Sequence, residues 1–128
     1  MIKIIYNIII FNLVFIFSCN YFDSKKEMIP SISSINALNI LTENEYLFLD
    51  VRTIEEHNTI SIPETIVIPV QELDFRLNEL NKYKEKQIVV YCRSGNRSKK
   101  GTQILNKNGF NAYNLIGGIK AWNGPIQK

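Results

Sequence analysis

The sequence predicts an α/β domain with a small parallel sheet of four to five strands and helices on both faces. Two observations carry this. Short strand-like apolar runs alternate with stretches of helical spacing, which is the pattern of a sheet whose parallel strands are joined by helical crossovers. Two of the runs, Tyr46-Leu47-Phe48-Leu49 and Gln87-Ile88-Val89-Val90-Tyr91, are almost continuously apolar, as strands buried on both faces must be.

Taken in order, Ser31-Ile32-Ser33 is read as a short first strand. Ser33 or Ser34 then caps a helix with Ile35, Leu38 and Leu41 on one face. The strand Tyr46–Leu49 follows, with Asp50-Val51-Arg52 at its carboxyl end and one helical turn capped by Thr53 behind it. Pro63 marks a turn, and Ile66-Val67-Ile68 is a short strand ended by Pro69. Gln71 to Leu80 reads as an amphipathic helix that aligns Leu73, Leu77 and Leu80. After strand Gln87–Tyr91 comes a loop, then a helix from Lys99 to Asn108 closed by Gly109. Ala112 to Leu115 is the last strand, Gly117-Gly118 a turn, and Ile119 to Trp122 a short terminal helix.

The chain divides into a leader (1–18), a tether (19–30) and one domain (31–128). Lys3 supplies a positive charge, Ile4 to Phe17 is apolar apart from Asn7 and Asn12, and the run stops at Ser18-Cys19. That length suits a signal-peptide core and is short for a bilayer span. A small residue before a cysteine at this place resembles a bacterial lipobox. In that reading Cys19 becomes the acylated amino terminus, and the protein is an exported, membrane-anchored lipoprotein on the periplasmic or cell-surface side. The alternatives are an uncleaved anchor helix and a plain signal peptide. Residues 20–30 are polar and charged, as a flexible tether is.

Composition excludes some partners. With a formal charge of +3 and no arginine-rich helix or basic–aromatic interleave, nucleic acid is not an expected partner. No second Cys or His lies at ligand spacing from Cys92, so neither metal nor cofactor is implied. Lys82, Lys84, Lys86, Arg93, Arg97, Lys99 and Lys100 surround Cys92 in the sequence, either as a solvated face or as an anion-attracting site.

The chemistry concentrates in Cys92-Arg93-Ser94-Gly95-Asn96-Arg97-Ser98, between a buried strand and a helix. On such a turn the first amides of the helix have no internal partners and point at the loop. Two arginines flank the thiol. Both features favour a thiolate, or any anion the sulfur carries. Asp50 and Arg52 lie at the carboxyl end of another strand, where open α/β sheets bind ligands. They read as a structural pair. Arg97 is expected to brace the loop through carbonyls, and Arg93 either faces outward at a pocket mouth or lies on the surface. Ser98 either donates to sulfur or caps the helix, and Ser94 is a second candidate donor. His57 is read as packing and Trp122 as core.

Together, Asp50-Val51-Arg52-Thr53-Ile54-Glu55-Glu56, Ile62-Pro63, Ile68-Pro69, Cys92 to Ser98 and Gly117-Gly118-Ile119-Lys120-Ala121-Trp122 resemble a single-domain rhodanese. The resemblance implies sulfur transfer. Cys92 would be the nucleophile, and residues 93–98 would cradle its persulfide. The partners would be a small anionic sulfur donor, such as thiosulfate or a persulfide, and a thiol or cyanide acceptor. One region departs from the family. Where members commonly read G-H-I-P-G-A, this chain reads Ile60-Ser61-Ile62-Pro63-Glu64-Thr65, and the lost glycines predict an altered loop path. Two rivals remain. One is a cysteine-loop phosphatase or arsenate reductase, whose loop is one residue longer than the four residues between Cys92 and Arg97. The other is a non-catalytic persulfide carrier or partner-binding module.

Overall fold

The computed structural model describes residues 27–128, so the readings on Cys19 and the leader lie outside the described residues. Five parallel strands form one sheet: β1 (Ser31–Ile32), β2 (Tyr46–Asp50), β3 (Ile66–Val67), β4 (Gln87–Tyr91) and β5 (Asn111–Leu115). Their spatial order is β1-β5-β4-β2-β3, which makes β4 the central strand. The helices are α1 (Ser34–Asn39), α2 (Ile54–Thr59) and α3 (Asn96–Lys107).

Strand alternation builds two cores. Leu47, Leu49, Val51, Ile88, Val90 and Cys92 point to one face, where Leu105 of α3 and Leu73 and Leu80 cover them. Phe48, Val89 and Tyr91 point to the other, under Ala37 of α1 and Trp122. Phe48 and Trp122 meet edge to face at 6.1 Å between ring centroids. Gly101 is small for a packing reason: a Cβ there would stand 3.2 Å from Val90 Cγ1 and 3.3 Å from Val51 Cγ1. Parallel register sets Asp50 opposite Tyr91, which brings the carboxyl ends of β2 and β4 side by side.

Three expectations change in detail. The segment after β3 is not an α-helix but two 3-10 stretches, Leu73–Phe75 and Leu77–Tyr83. Leu77, Leu80 and Tyr83 recur every third residue, so a three-residue turn keeps all of them on the core. α1 is too short to bury the face Ile35-Leu38-Leu41. It docks through the fully buried Ala37 and leaves Ile35 and Leu38 exposed. α3 starts at Asn96, earlier than Lys99, because Gly95 takes the left-handed conformation (φ 103°) that turns the chain directly into the helix.

The divergent segment is held by polar contacts. Ile60 is extended (φ −158°) and needs no glycine. Glu64 takes the left-handed backbone itself, at φ 58°. The Tyr91 hydroxyl accepts from Ile62 N at 3.3 Å and meets Thr65 Oγ1 at 3.1 Å, while Thr65 Oγ1 donates to Ile62 O at 2.9 Å. The path expected to change at Glu64 therefore keeps a positive φ without glycine.

Candidate active site

Cys92 follows directly on β4 and is almost completely buried, at 1 % exposure. The Gly95 amide donates to its Sγ at 3.1 Å and the Ser98 hydroxyl at 3.3 Å. Ser98 lies inside α3, so it serves the sulfur and does not cap the helix. Burial pushes the Cys92 thiol up, but the Ser98 hydroxyl and the amides of Ser98, Gly95 and Ser94 outweigh it and hold the thiol below its ordinary value. These donors, not the arginines, lead the effect. The side chains of Ser94 and Asn96 are exposed, and the loop uses their backbone.

The sign of the shift gives a pH prediction. A depressed thiol pKa means that the folded state favours the thiolate. The associated stabilisation is present above the unfolded pKa and is lost as pH falls through the folded one. Site-specific alkylation of Cys92, followed by peptide mass spectrometry, should reach half its maximal rate below about pH 8.5, the free-cysteine value. A midpoint at or above that value would contradict the amide-cradle argument.

The loop is strapped to the C-terminal turn. Ile119 N donates to Cys92 O at 2.9 Å and Lys120 N to Arg93 O at 3.1 Å. This close approach requires Gly118: a Cβ there would lie 2.5 Å from Cys92 O and 2.6 Å from Arg93 O. The Gly117-Gly118 turn thus fixes the loop's outer side and places Lys120 beside Arg93.

Arg97 braces the loop, though not through carbonyls. Its guanidinium donates twice to Glu56 of α2, at 2.7 and 2.8 Å. Glu56 also completes the capping box of α2, accepting from Thr53 N at 3.1 Å while Thr53 Oγ1 accepts from Glu56 N at 3.2 Å. The hydrogen bonds from Arg97 hold the Glu56 carboxyl down at about 2, so the clamp is ionised at neutral pH. The Thr53-x-x-Glu56 signature marks the helix start in the sequence, but nothing local marks the reach to Arg97.

Asp50 and Arg52 form the expected pair, at 2.6 Å between Arg52 Nη2 and Asp50 Oδ2, with both side chains buried. The burial of Arg52 works against its charge, but the hydrogen bonds and charge of Asp50 outweigh it and raise the guanidinium pKa further. His57 corrects the packing reading: its Nδ1 lies 2.9 Å from Asp50 Oδ2, as a further donor to the carboxylate beside the amide and guanidinium of Arg52.

A cleft of about 410 Å³ borders the cysteine loop. Arg52, Glu56, Thr59 and Ile60 line it from one segment, and Arg93, Ile119 and Lys120 from the loop and the strapped turn. Arg93 is thus the mouth residue that one of its two readings described. Thr59, Ile60, Ile119 and Lys120 were not among the sequence candidates, and only their neighbourhood to the Gly-Gly turn or to α2 could have pointed to them. Lys82 and Lys84 precede β4 and lie against the Tyr83 and Phe110 rings, at 5.0 and 5.3 Å. A five-residue strand, about 16 Å long, separates that end of the sheet from Cys92. These lysines are a solvated face. Among the described residues, no group of three or more His, Cys, Asp or Glu side chains is placed to hold a metal.

A parallel sheet whose central strand ends in a buried, amide-cradled cysteine defines a domain that stabilises a sulfur anion. Within that class, the chain belongs to the rhodanese-like domain family, which it matches over residues 35–125. It is similar to a putative sulfur carrier protein, YrkF, of Bacillus subtilis, at 38% identity over 77% of this chain and 54% of the relative. It is 34% identical to a sulfurtransferase of Allochromatium vinosum over 74% of this chain and 89% of that protein. A rhodanese-related protein of Thermoplasma volcanium has a similar structure, with a TM-score of 0.70, 31% identity and coverage of 77% of this chain and 97% of that one. Some relatives are much longer: the chain spans 23% of an adenylyltransferase and sulfurtransferase, MOCS3, of Arabidopsis thaliana, at 36% identity over 71% of this chain. The chain also spans only about half the length of the Bacillus subtilis relative. Membership carries the coarse activity of the family, sulfur transfer.

Proposed function

We propose that the domain transfers sulfane sulfur through a persulfide on Cys92. The single observation that carries this is the buried Sγ, held by the Gly95 amide at 3.1 Å and the Ser98 hydroxyl at 3.3 Å. With thiosulfate as donor, the Cys92 thiolate attacks the outer sulfur. The S–S bond of thiosulfate breaks, its electron pair leaves with sulfite, and Cys92 retains the sulfur as a persulfide anion. Three negative charges enter and three leave. A thiol or cyanide then takes the outer sulfur, and Cys92 returns to the thiolate. The same amides hold the charge in both states, which lowers the cost of moving it. Arg97 works against the phosphatase rival, because Glu56 engages the Nη1–Nη2 edge of its guanidinium in a bidentate pair, and that edge is not free to hold a tetrahedral oxyanion.

The test is direct. Incubated with thiosulfate, the protein should gain one sulfur on the Cys92 peptide by mass spectrometry, and added cyanide should remove it as thiocyanate. An unmodified Cys92 after both thiosulfate and polysulfide treatment would overturn the proposal. A similarity to a protein named as a putative sulfur carrier keeps the carrier reading beside it. Sulfur that loads but passes to no acceptor would select that reading.

We further propose that the chain is an exported lipoprotein, with residues 1–18 as signal peptide, Cys19 acylated, 19–30 as tether and 31–128 as the domain. The support is the apolar run that ends at Ser18-Cys19. Acyl chains on Cys19 would hold the protein at a membrane, at about 0.8 kcal/mol per buried CH₂. Among the described residues, no helix is long and apolar enough to cross a membrane. Mass spectrometry of the native amino terminus should find an acylated Cys19. An intact Met1, or a cleaved end without acyl chains, would refute the lipobox reading.

A further inference from the structure

We propose that Asn114 is a positioning residue for the sulfur anion: its buried side-chain amide turns its nitrogen to the Gly95 turn and presents the positive end of a fixed dipole to the cysteine loop. The inference rests on the sulfur-transfer reading and adds a residue to the machinery of that site.

Burial without a partner is the first observation. Asn114 is 2 % exposed. Two residues beyond Ala112 on β5, it faces the same core as Val90 and Cys92, and the register sets it opposite Val90. Its side-chain oxygen accepts no hydrogen bond from the described residues. Other polar side chains on this side of the sheet are engaged. Ser98 donates to Cys92 Sγ, and Thr102 Oγ1 donates to Ser98 O at 2.8 Å. Asn106 spans the amide and carbonyl of Ala112 at 2.7 and 3.0 Å. Sheet pairing does not explain Asn114 either, because it uses the backbone, whose amide donates to Pro30 O at 2.8 Å. An unpaired buried amide oxygen is costly, and an apolar residue at this position would avoid the cost.

Orientation is the second. The nitrogen is the end of the Asn114 amide nearer to Gly95, at 3.8 Å from the place a Cβ of that residue would take. Gly117 N and Leu115 O complete the floor under the turn, at 3.4 and 3.6 Å from the same place. Gly95 is the residue whose amide donates to Cys92 Sγ at 3.1 Å. The side-chain dipole therefore has its positive end toward the anion-binding turn and its negative end unpaired in the interior. In a site shielded from water, a dipole fixed in this sense stabilises an anion without reorganising. It serves the thiolate and the persulfide alike.

The charges around Cys92 lie elsewhere. Arg93 and Lys120 belong to the loop and the strapped turn, Arg97 is clamped by Glu56, and Asp50 is paired with Arg52 and His57. Tyr91 points to the opposite face of the sheet. β1, β5 and the buried side of α3 bring no charged side chain to Asn114. Replacing Asn114 by an apolar residue thus removes a dipole and leaves every charge in place.

Asn114→Leu and Asn114→Val are compared with the wild type as full chains in detergent. Both remove the unpaired oxygen, so both should unfold at or above the wild-type temperature. Alkylation of Cys92 by iodoacetamide, followed on its peptide by mass spectrometry, should reach half its maximal rate about half a pH unit higher than in the wild type. Single-turnover loading from thiosulfate should be about threefold slower at a pH below both midpoints, which is the same half unit expressed as a rate. Above both midpoints the rates should converge. A displaced loop would instead slow loading at every pH and lower the unfolding temperature. An unshifted midpoint, rates that stay apart above both midpoints, or failure of both variants to fold overturns the inference and leaves the transfer reading standing. A wild-type Cys92 that never loads overturns both.

Discussion

Cys92→Ser should reduce sulfur transfer by about a thousandfold or more, to the uncatalysed level. Serine is close to cysteine in size, and the Gly95 amide and the Ser98 hydroxyl can still bond to its oxygen, so the loop geometry survives. What is lost is the chemistry. An alkoxide does not form at neutral pH in this site, and oxygen cannot carry a sulfane sulfur that a second thiol then removes. No other cysteine lies among the described residues to replace it. Turnover of thiosulfate and cyanide should be measured beside thermal unfolding. An unfolding midpoint close to wild type with activity at background is the expected pair of results. Activity within tenfold of wild type in a folded Cys92→Ser variant would remove the thiol from the mechanism. Ser98→Ala should act more mildly, because it removes one donor from the sulfur and leaves the amides in place.

The loop was legible because its signals are local. A continuous apolar strand, a cysteine, a glycine and a helix start occupy consecutive residues, and the backbone must turn there whatever the rest of the chain does. Strand identity was legible for the same reason: β2 and β4 are buried on both faces, and continuous apolar runs report that directly. The segment after β3 was misread because leucine spacings of three and four fit either helix type over one or two turns, and tertiary contact decided between them. The partner of Arg97 was not legible. Glu56 lies 41 residues away, and only the parallel pairing of β2 with β4 brings α2 beside the loop. Lys120 was hidden likewise, since its place at the cleft depends on the Gly118 contact with Cys92 and Arg93. His57 looked like packing because the sequence offers no sign that it turns back onto Asp50.

Asp50→Ala should have the largest effect on stability, a loss of about 3–5 kcal/mol, although Asp50 does not line the cleft. Its fully buried carboxylate accepts from Arg52 N at 3.0 Å, from Arg52 Nε at 2.9 and 3.1 Å, from Arg52 Nη2 at 2.6 Å and from His57 Nδ1 at 2.9 Å. Removing it leaves a guanidinium that is 3 % exposed without a counter-charge. The remaining contacts, Arg52 Nη2 to Ile60 O at 2.7 Å and the Tyr91 ring at 5.5 Å, do not neutralise it. Water must enter or the strand end must open. For a domain of this size, whose total stability is about 5–15 kcal/mol, such a loss lowers the melting temperature by more than about 12 °C. The effect should extend to function, because Arg52 holds the Ile60 carbonyl and so fixes one side of the cleft. The double variant Asp50→Ala/Arg52→Met separates the pair from its burial. If the cost of the single variant lies in the stranded cation, the double variant should recover at least half of the lost stability in urea-induced unfolding while the cleft loses its arginine. A single variant within about 1 kcal/mol of wild type, or a double variant less stable than the single, would show that the pair is not what closes the carboxyl end of β2.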